Sequence, residues 1–175
     1  MLTLSFLTGF IKIVHEESTM KKKLAALYLS LVITGLGAPA SWAESLAHMM
    51  VTPGELKWTD VASLPAGAKI AVIEGDLKNP TPFTFRLKLP ANYTVAPHTH
   101  PTIEHVTVIS GTFHFGPGDK IDEAKATALK PGSFAVFPPG HSMFGWTKEE
   151  TVIQVHGVGP WGINYVNPAD DPRKK

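Results

Sequence analysis

The sequence predicts an all-β domain, either a sandwich, a jelly roll or a small barrel. Proline and glycine each occur 15 times among 175 residues, so turns divide the chain into short segments. Those segments are rich in β-branched and aromatic residues, and turn signals recur about every eight to twelve residues, as in such folds. The clearest strand is Phe83–Leu89, where apolar and polar residues alternate strictly, as expected of a strand with one buried face.

The other predicted strands are segments of similar composition that lie between clusters of Pro, Gly, Asn and Asp. A brief helix is predicted at Ile121–Ala126, and the polar tail Pro168–Lys175 is predicted to be loosely held. The predicted strands besides Phe83–Leu89 are Glu55–Asp60, Lys69–Glu74, Tyr93–His100, Glu104–Ser110, Thr112–Phe115, Ala126–Leu129, Ser133–Phe137, Ser142–Thr147, Thr151–His156 and Gly162–Val166.

Composition excludes several classes of protein. The formal net charge is +1 and 18% of residues are charged, so the chain lacks the basic field typical of nucleic-acid binding. The chain has no cysteine, which rules out disulfide frameworks, cysteine-ligated zinc and thiol catalysis. We therefore expect no nucleic-acid partner.

The N-terminal region has the layout of a bacterial signal peptide. A basic start at Met20–Lys23 precedes the apolar stretch Leu24–Leu36, and Ser41 and Ala43 supply small residues at the cleavage positions. The apolar stretch is short for a membrane span. We therefore expect cleavage after Ala43, a periplasmic or secreted protein, and no membrane association of the mature form.

The chain thus divides into an export region at 1–43 and a single domain at 44–175. Residues 1–19 precede an otherwise complete signal peptide at 20–43, which is unusual. Our hypothesis is that Met20 is the true start, and a precursor peptide spanning Ser18 to Lys21, detected by mass spectrometry, would contradict it.

Three side chains near the middle of the chain form a candidate metal site. His98 and His100 lie two residues apart, so on a strand their imidazoles point to the same side. Glu104 follows after the bend at Pro101–Thr102. Two imidazoles and one carboxylate on one side of an ion leave positions open for water, oxygen or substrate. A chance cluster at an exposed strand end is the simpler alternative.

These residues resemble the first motif of the cupin family, which has Gly, His-x-His, Glu and Gly at set spacings. His98, His100, Glu104 and Gly111 match, and Asn92 stands at the leading glycine. The second motif, Gly, Pro-x-Gly and His, is matched by three positions and lacks its histidine. Those three are Gly132, Pro138 and Gly140, and the histidine position holds Met143.

The resemblance implies a double-stranded β-helix jelly roll, the cupin barrel, over about residues 55–167. In cupins the histidine at the position of Met143 is usually a further metal ligand. Here His141 lies two residues earlier, with the same strand parity. Three interpretations stay open: His141 replaces that ligand, the ion is held by the trio and water, or metal binding is lost. In the second, a Met143 thioether ligand would favour Cu(I).

The function implied by the resemblance is a metal-dependent cupin acting on a small organic molecule, by an oxygenase- or isomerase-like reaction. The cofactor would be a divalent transition metal, Fe, Mn, Ni, Zn or Cu. The alternative is a non-catalytic cupin that binds a small ligand or a metal. Small cupins often dimerise by pairing strands, so a homodimer is also expected.

Other polar residues are weaker candidates. If their face of the strand lines the barrel, Gln154 and His156 could contact substrate or act as a general base. A hydrogen bond of His156 into the following glycine-rich loop is the structural alternative. Strand parity predicts that His105 faces away from the pocket. It also predicts that Val106, on the same face as Glu104, gives the pocket an apolar wall.

Overall fold

Two antiparallel β-sheets build the domain in the computed structural model, which describes residues 48–175. Met50–Lys175 form one compact unit. The predicted signal peptide at 20–43, its cleavage after Ala43 and the proposed start at Met20 lie outside the described residues. Among the helices of residues 48–175, none has the length and hydropathy needed to cross a bilayer.

The larger sheet contains six strands in the order β1-β2-β3-β10-β5-β8. Every neighbouring pair in it is antiparallel, and the central strand β10 pairs with both β3 and β5. Its strands are β1 (Thr59–Asp60), β2 (Lys69–Glu74), β3 (Pro82–Leu89), β5 (Glu104–Ser110), β8 (Phe134–Phe137) and β10 (Thr151–Val158).

The smaller sheet contains five strands in the order β11-β4-β9-β6-β7, all antiparallel. Chain neighbours β4 and β5 lie in different sheets, so the bend between them connects the two layers. The strands are β4 (Thr94–Thr99), β6 (Phe113–Pro117), β7 (Thr127–Leu129), β9 (Met143–Thr147) and β11 (Asn164–Tyr165).

The core lies between the sheets and comes from alternating side chains. In β3, Phe83, Phe85, Leu87 and Leu89 are each no more than 7% exposed, as predicted from the sequence. Burial of each such side chain contributes ~1.5–3 kcal/mol. The all-β prediction is confirmed.

Three local predictions differ from the structure. Of Glu55–Asp60 only Thr59–Asp60 is strand, and a 3-10 helix at Pro53–Glu55 precedes it. The helix predicted at Ile121–Ala126 is a 3-10 turn over Glu123–Lys125, because three residues are too few for an α-helical turn.

The C-terminal tail is also held more firmly than its composition predicts. Asp171 is 6% exposed and forms an ion pair with Arg173 at 2.7 Å. The Arg173 guanidinium also donates to the Ile163 carbonyl at 3.0 Å. This anchors the tail to the segment before β11, which lies beside the candidate site.

Candidate metal centre

The three predicted ligands, His98, His100 and Glu104, are buried at one place in the interior. Their exposed fractions are 7%, 3% and 6%, and all three line the same cavity. His98 lies near the end of β4, His100 follows that strand, and Glu104 opens β5 after the bend. The strand parity and the bend thus bring the trio together as predicted from the sequence.

The cavity is small and otherwise almost wholly apolar. Its volume is about 40 Å³, enough for a small ion or bound water and far below the ~300–1,000 Å³ of organic-ligand pockets. Val106, 2% exposed, is part of its wall, as predicted. An ion fits this volume, and an organic molecule does not unless side chains move.

Backbone carbonyls orient both imidazoles. Nδ1 of His98 lies 2.7 Å from the Ala96 carbonyl oxygen, and Nδ1 of His100 lies 2.7 Å from that of Gly162. Because a carbonyl oxygen only accepts, each Nδ1 carries the hydrogen. The Nε2 lone pair of a neutral ring is then free, which is the arrangement found in metal-binding histidines.

The electrostatic environment keeps His98 neutral. Burial, and then the neighbouring His100, lower the pKa of His98 to about 3, although the hydrogen bond to Ala96 opposes the shift. The two rings are nearly perpendicular, with centroids 4.9 Å apart. A neutral imidazole can donate its Nε2 lone pair to an ion at physiological pH.

Glu104 has contacts on both carboxylate oxygens. Oε2 lies 3.4 Å from Nε2 of His100, and Oε1 accepts a hydrogen bond of 2.7 Å from the indole N–H of Trp161. The Trp161 ring also stacks on His100, with centroids 5.7 Å apart. With the His100 hydrogen on Nδ1, Nε2 and Oε2 face each other as two acceptors, which a proton or a cation between them would stabilise.

Trp161 is a site residue that sequence reasoning missed. Trp161 and Glu104 are 57 positions apart, and the loop carrying Trp161 has no strand period from which its direction could be read. Its place in the glycine-rich segment Val155–Gly162 gives no indication of where the side chain lies.

The donor atoms suit a transition metal, but their arrangement is not that of a formed site. Within residues 48–175, no group of three or more His, Asp or Glu side chains is placed as a metal site requires. Glu104 is engaged by Trp161 and His100, so an ion would enter only with a local rotation of these side chains. The ligand set stays a prediction.

His141 is not brought together with the trio. It is exposed, its Nδ1 lies 3.2 Å from the Pro139 carbonyl oxygen, and it does not line the inner cavity. The shared parity of His141 and Met143 does not bring His141 inward, because β9 begins at Met143 and parity does not hold through the preceding turn. Met143 is 3% exposed, lies opposite His98 in the strand register, and lines the cavity.

Gln154 and His156 also lie away from the cavity. Buried Thr151, Ile153 and Val155 form the inner face of β10, so Gln154 and His156 are on its outer face. The condition on which they were candidates is therefore not met.

Both side chains have partners on that outer face. Gln154 accepts a hydrogen bond of 3.1 Å from Nε of Arg86. His156 stacks on His105 at 4.8 Å, which places His105 outside the pocket as predicted. Partial burial, and then His105, lower the pKa of His156.

Comparison with known proteins reveals a likeness of fold. No protein-family model matches the chain, and no curated protein matches it. Among solved structures, the polyketide cyclase RemF of Streptomyces resistomycificus is similar at a TM-score of 0.60 and 14% identity, over 73% of this chain and 91% of that one.

Two further similar structures are described by the name of their fold. An RmlC-like cupin of Shewanella frigidimarina is 12% identical at a TM-score of 0.50, over 70% of this chain and 96% of its own. A Klebsiella pneumoniae protein with a double-stranded β-helix domain is 19% identical at a TM-score of 0.50, over 67% and 97%. These likenesses confirm the predicted double-stranded β-helix jelly roll.

Proposed function

We propose that this chain, which has the cupin fold, binds a divalent transition metal and acts on a small organic molecule. The observation that carries the proposal is the burial of His98, His100 and Glu104 in one apolar cavity, with both Nδ1 atoms bound to carbonyls. Burying a carboxylate among apolar groups is costly without a charged partner, and a cation would offset that cost.

The residues of the chain would each do a separate task at such a centre. His98 and His100 would bind through Nε2, and Glu104 would bind through Oε2 while Trp161 holds Oε1. A bound Fe, Mn, Ni, Zn or Cu ion would supply Lewis acidity or oxygen chemistry. The apolar wall would exclude water and strengthen electrostatic interactions.

A small organic substrate is supported by the kind of protein that shares the fold. RemF, the similar structure at a TM-score of 0.60, is a polyketide cyclase. The reaction we propose for this chain is of the oxygenase or isomerase type, which open metal positions permit.

The cellular context of the proposal comes from the sequence. The pattern at 20–43 supports export to the periplasm or beyond, with cleavage after Ala43. We also propose that the mature protein is a homodimer.

Metal analysis of the purified protein tests the proposal. The form starting at Glu44 is purified without chelator or metal affinity resin, reconstituted with each of the five metals, and its bound ions are quantified. We expect one ion per chain in the wild type and its loss in His98→Ala. His48→Ala replaces an exposed histidine far along the chain from the trio and serves as the matched control. Absence of a stoichiometric ion from the reconstituted wild type would rule out the metal centre.

The variant His141→Ala decides the role of the neighbouring histidine. Because His141 is exposed and outside the cavity, we expect its replacement to leave metal affinity unchanged. A tenfold or greater loss of affinity would instead make His141 a ligand, brought inward by a shift of the turn before β9.

A non-catalytic binding module is the second candidate. Two observations favour it: Met143 stands at the position of the usual cupin histidine, and the cavity of about 40 Å³ is too small for an organic molecule unless side chains move. Stoichiometric metal in a protein that binds no organic ligand, by calorimetry or NMR, would favour this candidate over the enzyme.

A further inference from the structure

A second cavity adjoins the one that the predicted ligands line. It has a volume of about 280 Å³, just below the ~300–1,000 Å³ of small-molecule sites. Its walls come from the end of β6, the end of β8 and the turn leading into β9. The residues on which the argument depends are Phe115, Phe137, His141, Ser142 and Met143.

Three side chains separate this outer cavity from the inner one. Phe115, Phe137 and Met143 line both cavities, so one layer of side chains is all that divides them. Phe137 lies opposite Glu104 in the strand register, and Met143 lies opposite His98. Two of the three wall residues are therefore direct strand neighbours of predicted ligands.

The wall is built from groups that favour flat, apolar partners. The rings of Phe115 and Phe137 stack with centroids 4.0 Å apart and planes inclined by 26°. The thioether of Met143 is flexible and polarizable, and sulfur makes favourable contacts with aromatic rings. At the rim, the exposed His141 and the hydroxyl of Ser142 offer hydrogen bonds to a polar substituent.

We propose that the outer cavity binds a small aromatic molecule of one or two rings that carries a polar substituent. Phe115 and Phe137 stack on the ring, and Met143 moves aside to admit it toward His98 and Glu104. The inference rests on the proposed function in taking the trio as the reacting centre. It also assigns Met143, the departure from the cupin motif, to substrate admission.

Methionine-methyl NMR tests the binding site directly. The probe is benzoate, and cyclohexanecarboxylate is the matched control with the same charge and a saturated ring. In the form starting at Glu44, labelled on the methionine methyl carbons, Met143→Leu identifies the Met143 signal. We expect benzoate to shift that signal saturably and to bind at least tenfold more tightly than cyclohexanecarboxylate, because planar rings stack.

Two variants separate the cavity from the rest of the surface. Phe115→Leu should weaken benzoate at least tenfold. Trp58→Leu removes an aromatic ring that lies against Lys88 and lines neither cavity, and should leave binding unchanged. Equal weakening by both variants, equal affinity for the two carboxylates, or an unmoved Met143 signal would overturn the binding site.

A separate NMR signal tests whether benzoate passes the wall toward His98, His100 and Glu104. The indole N–H signal of Trp161, identified by Trp161→Phe, reports on the inner cavity, and benzoate should shift it together with Met143. A Met143 shift without a Trp161 shift would overturn passage through the wall. The titrations use metal-free and metal-reconstituted protein, so a chain that binds benzoate but no ion would contradict the metal centre and leave the aromatic site intact.

Discussion

At the residue scale, Trp161 determines how Glu104 is presented. Its indole N–H donates to Oε1, and its ring covers His100. We expect Trp161→Phe to lower metal affinity ~10–100-fold, as for other residues that orient a ligand. We also expect it to lower the free energy of unfolding of the metal-free protein by ~1–3 kcal/mol, because a buried carboxylate oxygen loses its donor.

Metal titration and urea denaturation measure the two effects of Trp161→Phe. Trp146→Phe is the matched control, because Trp146 stacks on His114 and lies outside the cavity lining. If the two variants had equal metal affinity, the hydrogen bond to Glu104 would have no role in ligand positioning.

The outer-face histidines make a prediction about pH. Partial burial and the neighbouring His105 lower the pKa of His156 below its ordinary 6.5. The charged group on the neighbouring strand, the Arg86 guanidinium, donates a hydrogen bond to Gln154. Because the folded state binds a proton on His156 less readily than the unfolded state, the contribution of His156 to the free energy of unfolding is fully present above pH ~6.5 and is lost as pH falls. We expect NMR titration to give a His156 midpoint below 6.5, and His105→Gln to raise it. An unchanged midpoint in that variant would contradict the coupling.

At the element scale, two turn glycines have different roles. Both Gly111 and Gly132 have positive φ, +71° and +86°. A Cβ at Gly111 would lie 2.5 Å from the Glu150 carbonyl oxygen, whereas one at Gly132 meets nothing within 4 Å. Gly132→Ala should cost ~1–2 kcal/mol for the left-handed conformation alone. Gly111→Ala should cost more, on the order of 3–4 kcal/mol, and equal losses in urea denaturation would contradict this.

Strand periodicity accounts for what could be predicted from the sequence. The alternation in β3 gave the core, and the parity of His98 and His100 gave two of the three buried side chains at the site. Asn92, which stands at the leading glycine of the cupin motif, has the left-handed conformation that asparagine tolerates, with φ of 56°.

The remaining site residues depend on information that local sequence does not carry. Parity failed for His141 because the residue lies in a turn before the strand begins. It failed to place Gln154 and His156 because alternation does not say which face of β10 is inward. Trp161 reaches Glu104 from a distant loop, which only the tertiary structure reveals.

At the scale of the whole molecule, the edge strand β8 carries an exposed apolar surface. Phe134 is 55% exposed and Val136 is 44% exposed, and β8 ends the order of the six-stranded sheet. Exposed edge strands readily pair with other chains, so we expect the homodimer to form here. Phe134→Lys should then give a monomer in size-exclusion chromatography with light scattering.

The control for the dimer is Ile121→Lys, which alters a residue that is 48% exposed in the loop before β7. This variant should remain dimeric. A wild-type protein that is monomeric at micromolar concentration would contradict dimerisation, and a dimeric Phe134→Lys variant would place the interface elsewhere.

X-ray absorption spectroscopy of the metal-reconstituted protein tests the central claim most directly. The account predicts two imidazole ligands on the ion, with the remaining ligands oxygen and no sulfur. A sulfur ligand, which would place Met143 on the ion, or an ion with fewer than two imidazole ligands would contradict it.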